Sequence, residues 1–142
     1  MKAKWYHRFR WMETTDGVLV IGGRNADQNE ELVKKYMEGK DTFLHADVFG
    51  ASVVLVKGTT ERMDEAAQFA LSYSRMWGSG AVAGDVIAAA PVQVSKTAES
   101  GEFLVHGSFV IRGERTYLRN VPMEVAIGVQ LKSSFAVLGG PP

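Results

Sequence analysis

Apolar positions along the chain follow two kinds of spacing. Phe9 to Glu13 reads as a strand, and the apolar run Val18-Leu19-Val20-Ile21 follows it across Asp16-Gly17, a dipeptide that favours a hairpin turn. Gly22-Gly23 ends that second strand. Thr42 to Asp47 and Ser52 to Val56 give two more strands, broken at Phe49-Gly50, and the second is apolar throughout, which predicts burial on both faces. The other spacing is helical. Leu32, Val33, Tyr36 and Met37 form one face of a helix that opens at Asp27-x-x-Glu30, read as a capping box, and stops at Gly39-Lys40-Asp41. Met63, Ala66, Ala67, Ala70, Tyr73, Ser74 and Trp77 define a second helix from about Glu61 to Trp77, closed by Gly78-Ser79-Gly80.

From Asp85 onward the pattern is strands and turns. Val86 to Val94, Glu102 to Val105, Ser108 to Arg112, Thr116 to Leu118, Val125 to Val129 and Phe135 to Leu138 are the candidates. Two helices among strands that are mostly neighbours in sequence predict an α+β fold, with a mostly antiparallel sheet and two main helices packed on it, both on one face. There is no internal repeat, linker or low-complexity segment. The 142 residues suit a single domain, and the ending Gly139-Gly140-Pro141-Pro142 suggests one excised from a longer chain.

Composition narrows the class. With 46% hydrophobic and 23% charged residues the chain has the mix of a soluble domain. No apolar run approaches the roughly 20 residues of a membrane-spanning helix, and Met1-Lys2-Ala3-Lys4-Trp5 does not open like a signal peptide. The absence of cysteine excludes disulfides and thiolate metal sites, which fits a cytoplasmic setting. Sixteen basic residues balance 16 acidic ones, unlike an autonomous nucleic-acid binder. The zero sum hides segregation: Lys2, Lys4, Arg8 and Arg10 open the chain without an acid, and Arg112, Arg115 and Arg119 crowd a second stretch around Glu114. The acids gather on the two predicted helices. Local basic patches in a neutral chain point to modest affinity exercised within a larger assembly.

Three segments carry candidate chemistry. Gly22-Gly23-Arg24-Asn25-Ala26 leads into a helix, where unpaired N–H groups and Arg24 suit an anion; a plain capped turn is the alternative. His45 and Asp47, two apart on a strand, share a face and suit metal ligation or acid–base work, or simply a structural hydrogen-bonded pair. Without cysteine, and with only His7 and His106 as further imidazoles, no metal is expected, and nothing calls for a cofactor. The third segment, Gln93 to Gly113, holds Lys96 and Arg112 with the hydroxyls of Ser95, Thr97 and Ser108, a donor set suited to phosphate and ribose, or an ordinary solvated hairpin. Ser95 and Lys96, adjacent on a strand, point opposite ways and make no dyad. The Gly22-to-Asn29 loop and the strand of His45 and Asp47 are expected side by side, because both place dense polarity beside apolar strands.

The stretches WYHRFRW (Trp5 to Trp11), LVIGGRNADQNE (Leu19 to Glu30), FLHADVFGAS (Phe43 to Ser52), QVSKT (Gln93 to Thr97) and GEFLVHGSFVIRG (Gly101 to Gly113) together resemble the NFACT-R domain, in order and spacing and over nearly the whole chain. The likeness is closest to archaeal members, through Ala126-Ile127-Gly128-Val129 and Gly139-Gly140-Pro141. One departure is the small-residue stretch Gly78 to Pro91, which offers no aromatic for base stacking.

The resemblance implies an RNA-binding module of a ribosome-associated quality-control factor, contacting tRNA and the large ribosomal subunit beside other domains of a longer chain, with neither DNA nor membrane as partner. It carries over Arg24, Asn25, Gln28, Asn29, His45, Asp47, Lys57, Lys96, Ser108 and Arg112 as a polar surface cluster. Arg24, Lys57, Lys96 and Arg112 would position the backbone electrostatically, and Gly22-Gly23 N–H groups would donate to a phosphate. The alternatives are an RNA-modifying or hydrolytic enzyme centred on His45 and Asp47, and a protein-docking domain.

Overall fold

The computed structural model describes residues 4–48, 50–74, 83–98 and 100–122. The predicted end of the second helix at Trp77 with its Gly78-Ser79-Gly80 stop, and the predicted strands Val125 to Val129 and Phe135 to Leu138, lie outside the described residues. A short 3-10 turn, Trp5–Arg8, leads into β1 (Arg10–Glu13) and β2 (Leu19–Gly22). These are joined by the predicted turn, in which Gly17 adopts φ +83° and donates to the Thr14 carbonyl at 2.9 Å. The Asp16 carboxylate leaves the turn to accept from Thr60 Oγ1 and from the Glu61 N–H at 2.9 Å, pinning the hairpin to the approach of the second helix.

Next come α1 (Ala26–Glu31), a π-helical turn Leu32–Tyr36, β3 (Thr42–Ala46), β4 (Val54–Val56), α2 (Met63–Ser72) and β5 (Ala83–Ala89). The chain ends its described part with β6 (Val94–Ser95), β7 (Val110–Ile111) and β8 (Thr116–Pro122). Six strands make one sheet in the order β1-β2-β4-β3-β5-β8, with every neighbouring pair antiparallel; β6 and β7 pair separately. The α+β class with a mostly antiparallel sheet and two helices is therefore the observed fold.

The helices do not share a face. Val20, Leu44, Ala46, Val54 and Val56 pack with Ala66, Ala67, Ala70 and Leu71 of α2. Ile21, Phe43, Val53 and Leu55 face the other way, under Leu32, Val33 and Tyr36 of the first helical segment and Val94, Phe109 and Ile111 of the β6–β7 hairpin. The reason was already in the all-apolar β4: a central strand without polar alternation needs cover on both sides. Two further expectations shift. Pro91, which cannot donate to a ladder, ends β5 at Ala89 and opens a 3-10 turn where a strand to Val94 was predicted. Glu102 to Val105 forms no strand; a lone bridge joins Thr97 to Phe103, and Phe103 and Val105 stand 72% and 74% exposed.

Candidate functional site

The first helix starts two residues earlier than Asp27-x-x-Glu30 suggests. Asn25 is the cap, its Oδ1 accepting from the Gln28 N–H at 2.9 Å, while Gln28 Oε1 accepts from the Arg24 N–H at 2.9 Å. Gly23 N–H donates to the Val53 carbonyl at 3.0 Å. The loop's Gly23 and Arg24 N–H groups are thus satisfied internally, contrary to the expectation that this loop lends N–H groups to a phosphate. Gly23 is glycine for a packing reason: a Cβ there would lie 2.2 Å from Asn29 Oδ1. That oxygen accepts from the Val53 N–H at 3.2 Å, so Asn29 buttresses the loop against β4.

Beside this loop lies a group of cations. Arg24 is exposed, with Nε donating to the Arg8 carbonyl at 3.2 Å. Arg10 reaches the Gly23 carbonyl and Ser52 Oγ at 3.4 and 3.3 Å, and its guanidinium lies over the Tyr73 ring at 4.3 Å. Burial lowers the Arg10 pKa; the Tyr73 charge opposes that and neighbouring Arg24 adds to it. Burial pushes the Tyr73 hydroxyl up to about 12, against the pull of both arginines. Neither Arg10 nor Arg24 pairs with a carboxylate among the described residues, whereas Arg8 is bonded to Glu31 through both terminal nitrogens.

Lys96 has a different fate. Its ammonium is bonded to Glu30 Oε2 and donates to the Val105 and Ser108 carbonyls, each at 2.8 Å. The Glu30 side chain is only 6% exposed. Burial alone would raise its pKa, but Lys96, the Gly107 N–H (2.7 Å) and Lys34 together hold it down at about 2. Its Oε1 accepts no hydrogen bond, although Lys34 Nζ stands 3.3 Å away and attracts it without the geometry of one. His106 meets Asp27 at 2.7 Å, and Gly107, at φ +86°, lies so close to Ala26 that a Cβ would fall 2.6 Å from the alanine's own. Glu30 thereby clamps the long β6–β7 connection onto α1. Lys96 is internal wiring, and the Ser108 carbonyl is part of it.

The remaining residues of the predicted cluster divide. Lys57 stands at the far end of β4, its side chain 12% exposed, bonded to the buried Asp41 carboxylate and the Tyr36 carbonyl. Arg112 is exposed but donates to the Thr97 and Ala98 carbonyls at 2.5 and 3.4 Å. His45 and Asp47 are at the same sheet end as the Gly22 loop, since Gly22 faces Val54 and Val54 faces Leu44, but β4 runs between them. Side by side is too strong; Gly107 links the two regions, accepting from Asn29 Nδ2 at 3.5 Å and lining the same cleft as His45. His45 Nδ1 donates to the Ala46 carbonyl at 2.7 Å and has no hydrogen bond to Asp47. Burial lowers the His45 pKa, more than the Ala46 and Ala51 carbonyls and the Asp47 charge raise it, which favours the uncharged ring. The oriented imidazole–carboxylate pair of a general base is not assembled.

The cleft occupies about 360 Å³ between β3, β5 and the β7 arm, with Phe43, Ile87, Phe109 and Ile111 as apolar walls and His45, Asp47 and Arg115 as polar ones. Among the described residues no three His, Asp or Glu converge as metal ligands, and no helix is long and apolar enough to cross a membrane. Sequence reading overlooked Arg10, Tyr73, Glu30, Gly107 and Arg115. Only the acid-free basic run at the start and the Arg112-to-Arg119 run hinted at two of them.

The sheet is thus covered on both faces, by α2 on one and by the first helical segment and the β6–β7 hairpin on the other. Residues 8–113 match the family described as NFACT protein RNA binding domain, NFACT-R. The chain belongs to that family. It is 46% identical over 133 residues to the archaeal Rqc2 homolog aRqcH of Methanocaldococcus jannaschii, covering 90% of this chain and 20% of that protein. It is 38% identical over 137 residues to the ribosome quality control complex subunit NEMF homolog of Drosophila melanogaster, covering 92% of this chain and 14% of that one. The chain spans about a fifth or less of the length of these curated relatives. A solved structure, the C-terminal part of the fibronectin/fibrinogen-binding protein from Streptococcus suis, superposes with a TM-score of 0.67 at 22% identity, covering 87% of this chain and 49% of that one. That likeness speaks for the fold alone.

Proposed function

We propose that this chain is an RNA-binding module of a cytoplasmic, ribosome-associated quality-control factor, and that it contacts tRNA and the large ribosomal subunit through phosphate and shape. One observation carries the reading beyond the family: Arg10 reaches the carbonyl of Gly23, the residue before Arg24, Arg24 reaches the Arg8 carbonyl, and neither guanidinium has a carboxylate partner among the described residues. Two uncompensated guanidinium groups repel each other, a cost that an approaching phosphate reverses. The backbone positions them: β1 presents Arg10 beside Gly22, the capped loop presents Arg24, and the Arg8 carbonyl and Tyr73 ring hold the two side chains. Such contacts fix register without reading sequence.

The test is a salt titration of tRNA binding by the 142-residue chain. Affinity should be modest, roughly micromolar or weaker at physiological salt. Each phosphate contact contributes about 0.7 to 0.9 to the slope of log K against log salt, so Arg24→Ala should flatten the slope by about one contact. A slope unmoved by Arg24→Ala puts the RNA face elsewhere. No binding at low salt favours a second reading, in which exposed Phe103 and Val105 dock another protein surface.

A further inference from the structure

The cleft beside His45 holds opposite charges that leave each other unpaired. Asp47 and Arg115 both line it, both are exposed, and neither carboxylate nor guanidinium has a hydrogen-bond or ion-pair partner among the described residues. Arg8, Arg62, Lys57, Lys96 and Arg119 pair with acids, whereas Asp47 and Arg115 share a cleft without meeting. The same cleft is lined by the apolar side chains of Phe43, Ile87, Phe109 and Ile111 and by the His45 ring. A flat, largely apolar body with two adjacent N–H donors on one edge and a phosphate on the other side would satisfy every one of these groups. Among nucleobases only guanine presents two parallel donors, N1–H and the N2 amine, to a single carboxylate. Adenine and cytosine offer one amine beside an acceptor that a carboxylate repels, and uracil offers one imide N–H between two carbonyls.

We infer that this cleft accepts one unpaired guanine nucleotide of a bound RNA, with Asp47 reading the Watson–Crick edge and Arg115 holding its phosphate. The inference rests on the RNA-binding reading. It adds a point of base recognition to a surface that otherwise contacts backbone, in the manner of proteins that take splayed bases out of single-stranded RNA. The cleft's volume of about 360 Å³ lies at the lower end of ligand sites, as one base requires. The Glu30–Lys96 clamp sets its shape, because Gly107 and Phe109 belong to the connection that the clamp holds down.

The experiment is an NMR titration of the protein with GMP, IMP, AMP, CMP and UMP, run beside tRNA binding. GMP should perturb the resonances of Phe43, His45, Phe109 and Arg115. It should bind at least about fivefold more tightly than IMP, which lacks the N2 amine, and than the other three nucleotides, the discrimination expected of a bidentate pair. Asp47→Asn should erase the GMP preference while leaving melting temperature unchanged, since Asp47 is exposed. Arg115→Ala should weaken all five nucleotides alike. Equal binding of GMP and IMP, no binding at the cleft, or a GMP preference that survives Asp47→Asn would each overturn the inference. If tRNA still binds with its salt dependence intact in those cases, the cleft assignment fails and the RNA-binding reading stands; loss of tRNA binding by the wild type fails the latter.

Discussion

Two basic regions flank the first helix and have opposite fates. On one side Lys96 is enclosed by Glu30 and two carbonyl oxygens, with its ammonium over the Phe109 ring at 4.7 Å. On the other, Arg10 and Arg24 sit together beside Tyr73 without an acid. Arg24 and Lys96 look alike as sequence, cations in short polar stretches that follow apolar runs. The difference is whether the fold supplies the counter-charge. A cation paired with a buried carboxylate is committed to holding the chain together, whereas one left without is electrostatically incomplete until a ligand arrives.

The contrast breaks first at Lys96. Lys96→Ala leaves the buried Glu30 carboxylate with the Gly107 N–H and the more distant Lys34 and His106, and should destabilise the fold by roughly 2 to 4 kcal/mol, visible as a lower denaturation midpoint. A variant of unchanged stability whose salt slope for tRNA is flattened would move Lys96 into the binding surface and dissolve the distinction. Acid sharpens the same point. The folded pKa of Glu30, about 2, lies below the ordinary glutamate value of 4.5, so its contribution is fully present above pH 4.5 and is lost as pH falls toward 2. Glu30→Gln should therefore lose stability near neutrality yet show a shallower acid limb than wild type. Asp16, also held at about 2, keeps part of that limb in both proteins.

Gly107 tests the clamp without touching charge. Its φ of +86° is one that L side chains rarely adopt, and an added Cβ meets the Ala26 backbone, with Cα at 2.8 Å. Gly107→Ala should cost about 1 to 3 kcal/mol, and because it lifts the connection from α1 it should also raise hydrogen exchange across the β6–β7 hairpin. Retained protection there would mean that Glu30 and Lys96 hold the connection by themselves.

Periodicity revealed the elements, the hairpin at Asp16-Gly17 and the apolar β4, because those signals are local. It put both helices on one face, whereas they take opposite faces, because both faces of β4 are equally apolar and the choice depends on long-range packing. Site residues were legible in proportion to how local their roles are. Arg24, Asn25 and Gln28 act within five positions of one another, and the sequence placed them together. Lys96 and Lys57 looked like free cations because their acids, Glu30 and Asp41, lie 66 and 16 residues away. Tyr73 looked like a core position on a helix face, which in part it is; that its ring also supports Arg10 depends on β1 passing the end of α2. Net charge misled for the same reason: a count of cations does not say which ones the fold has already neutralised.

The smallest expected effect is the most specific to the uncompensated cluster. Arg24→Ala removes one contact to the Arg8 carbonyl and relieves repulsion on Arg10, so its net effect on stability should stay within about 0.5 kcal/mol, as for most surface substitutions. The informative quantity is how that difference moves with salt. Repulsion between two cations near the surface is strongest when the Debye length is long, about 30 Å at 0.01 M, and is largely screened at 1 M, where it is about 3 Å. Relative to wild type, Arg24→Ala should thus become more favourable as salt is lowered, in protein free of RNA. Lys96→Ala should show the reverse sign or none, because it removes an attraction that water and ions barely reach. Denaturant titrations of the three proteins at low and high salt measure both trends. If Arg24→Ala and Lys96→Ala respond to salt in the same direction, the two regions are electrostatically alike, and the case for Arg10 and Arg24 as the phosphate-facing pair is lost.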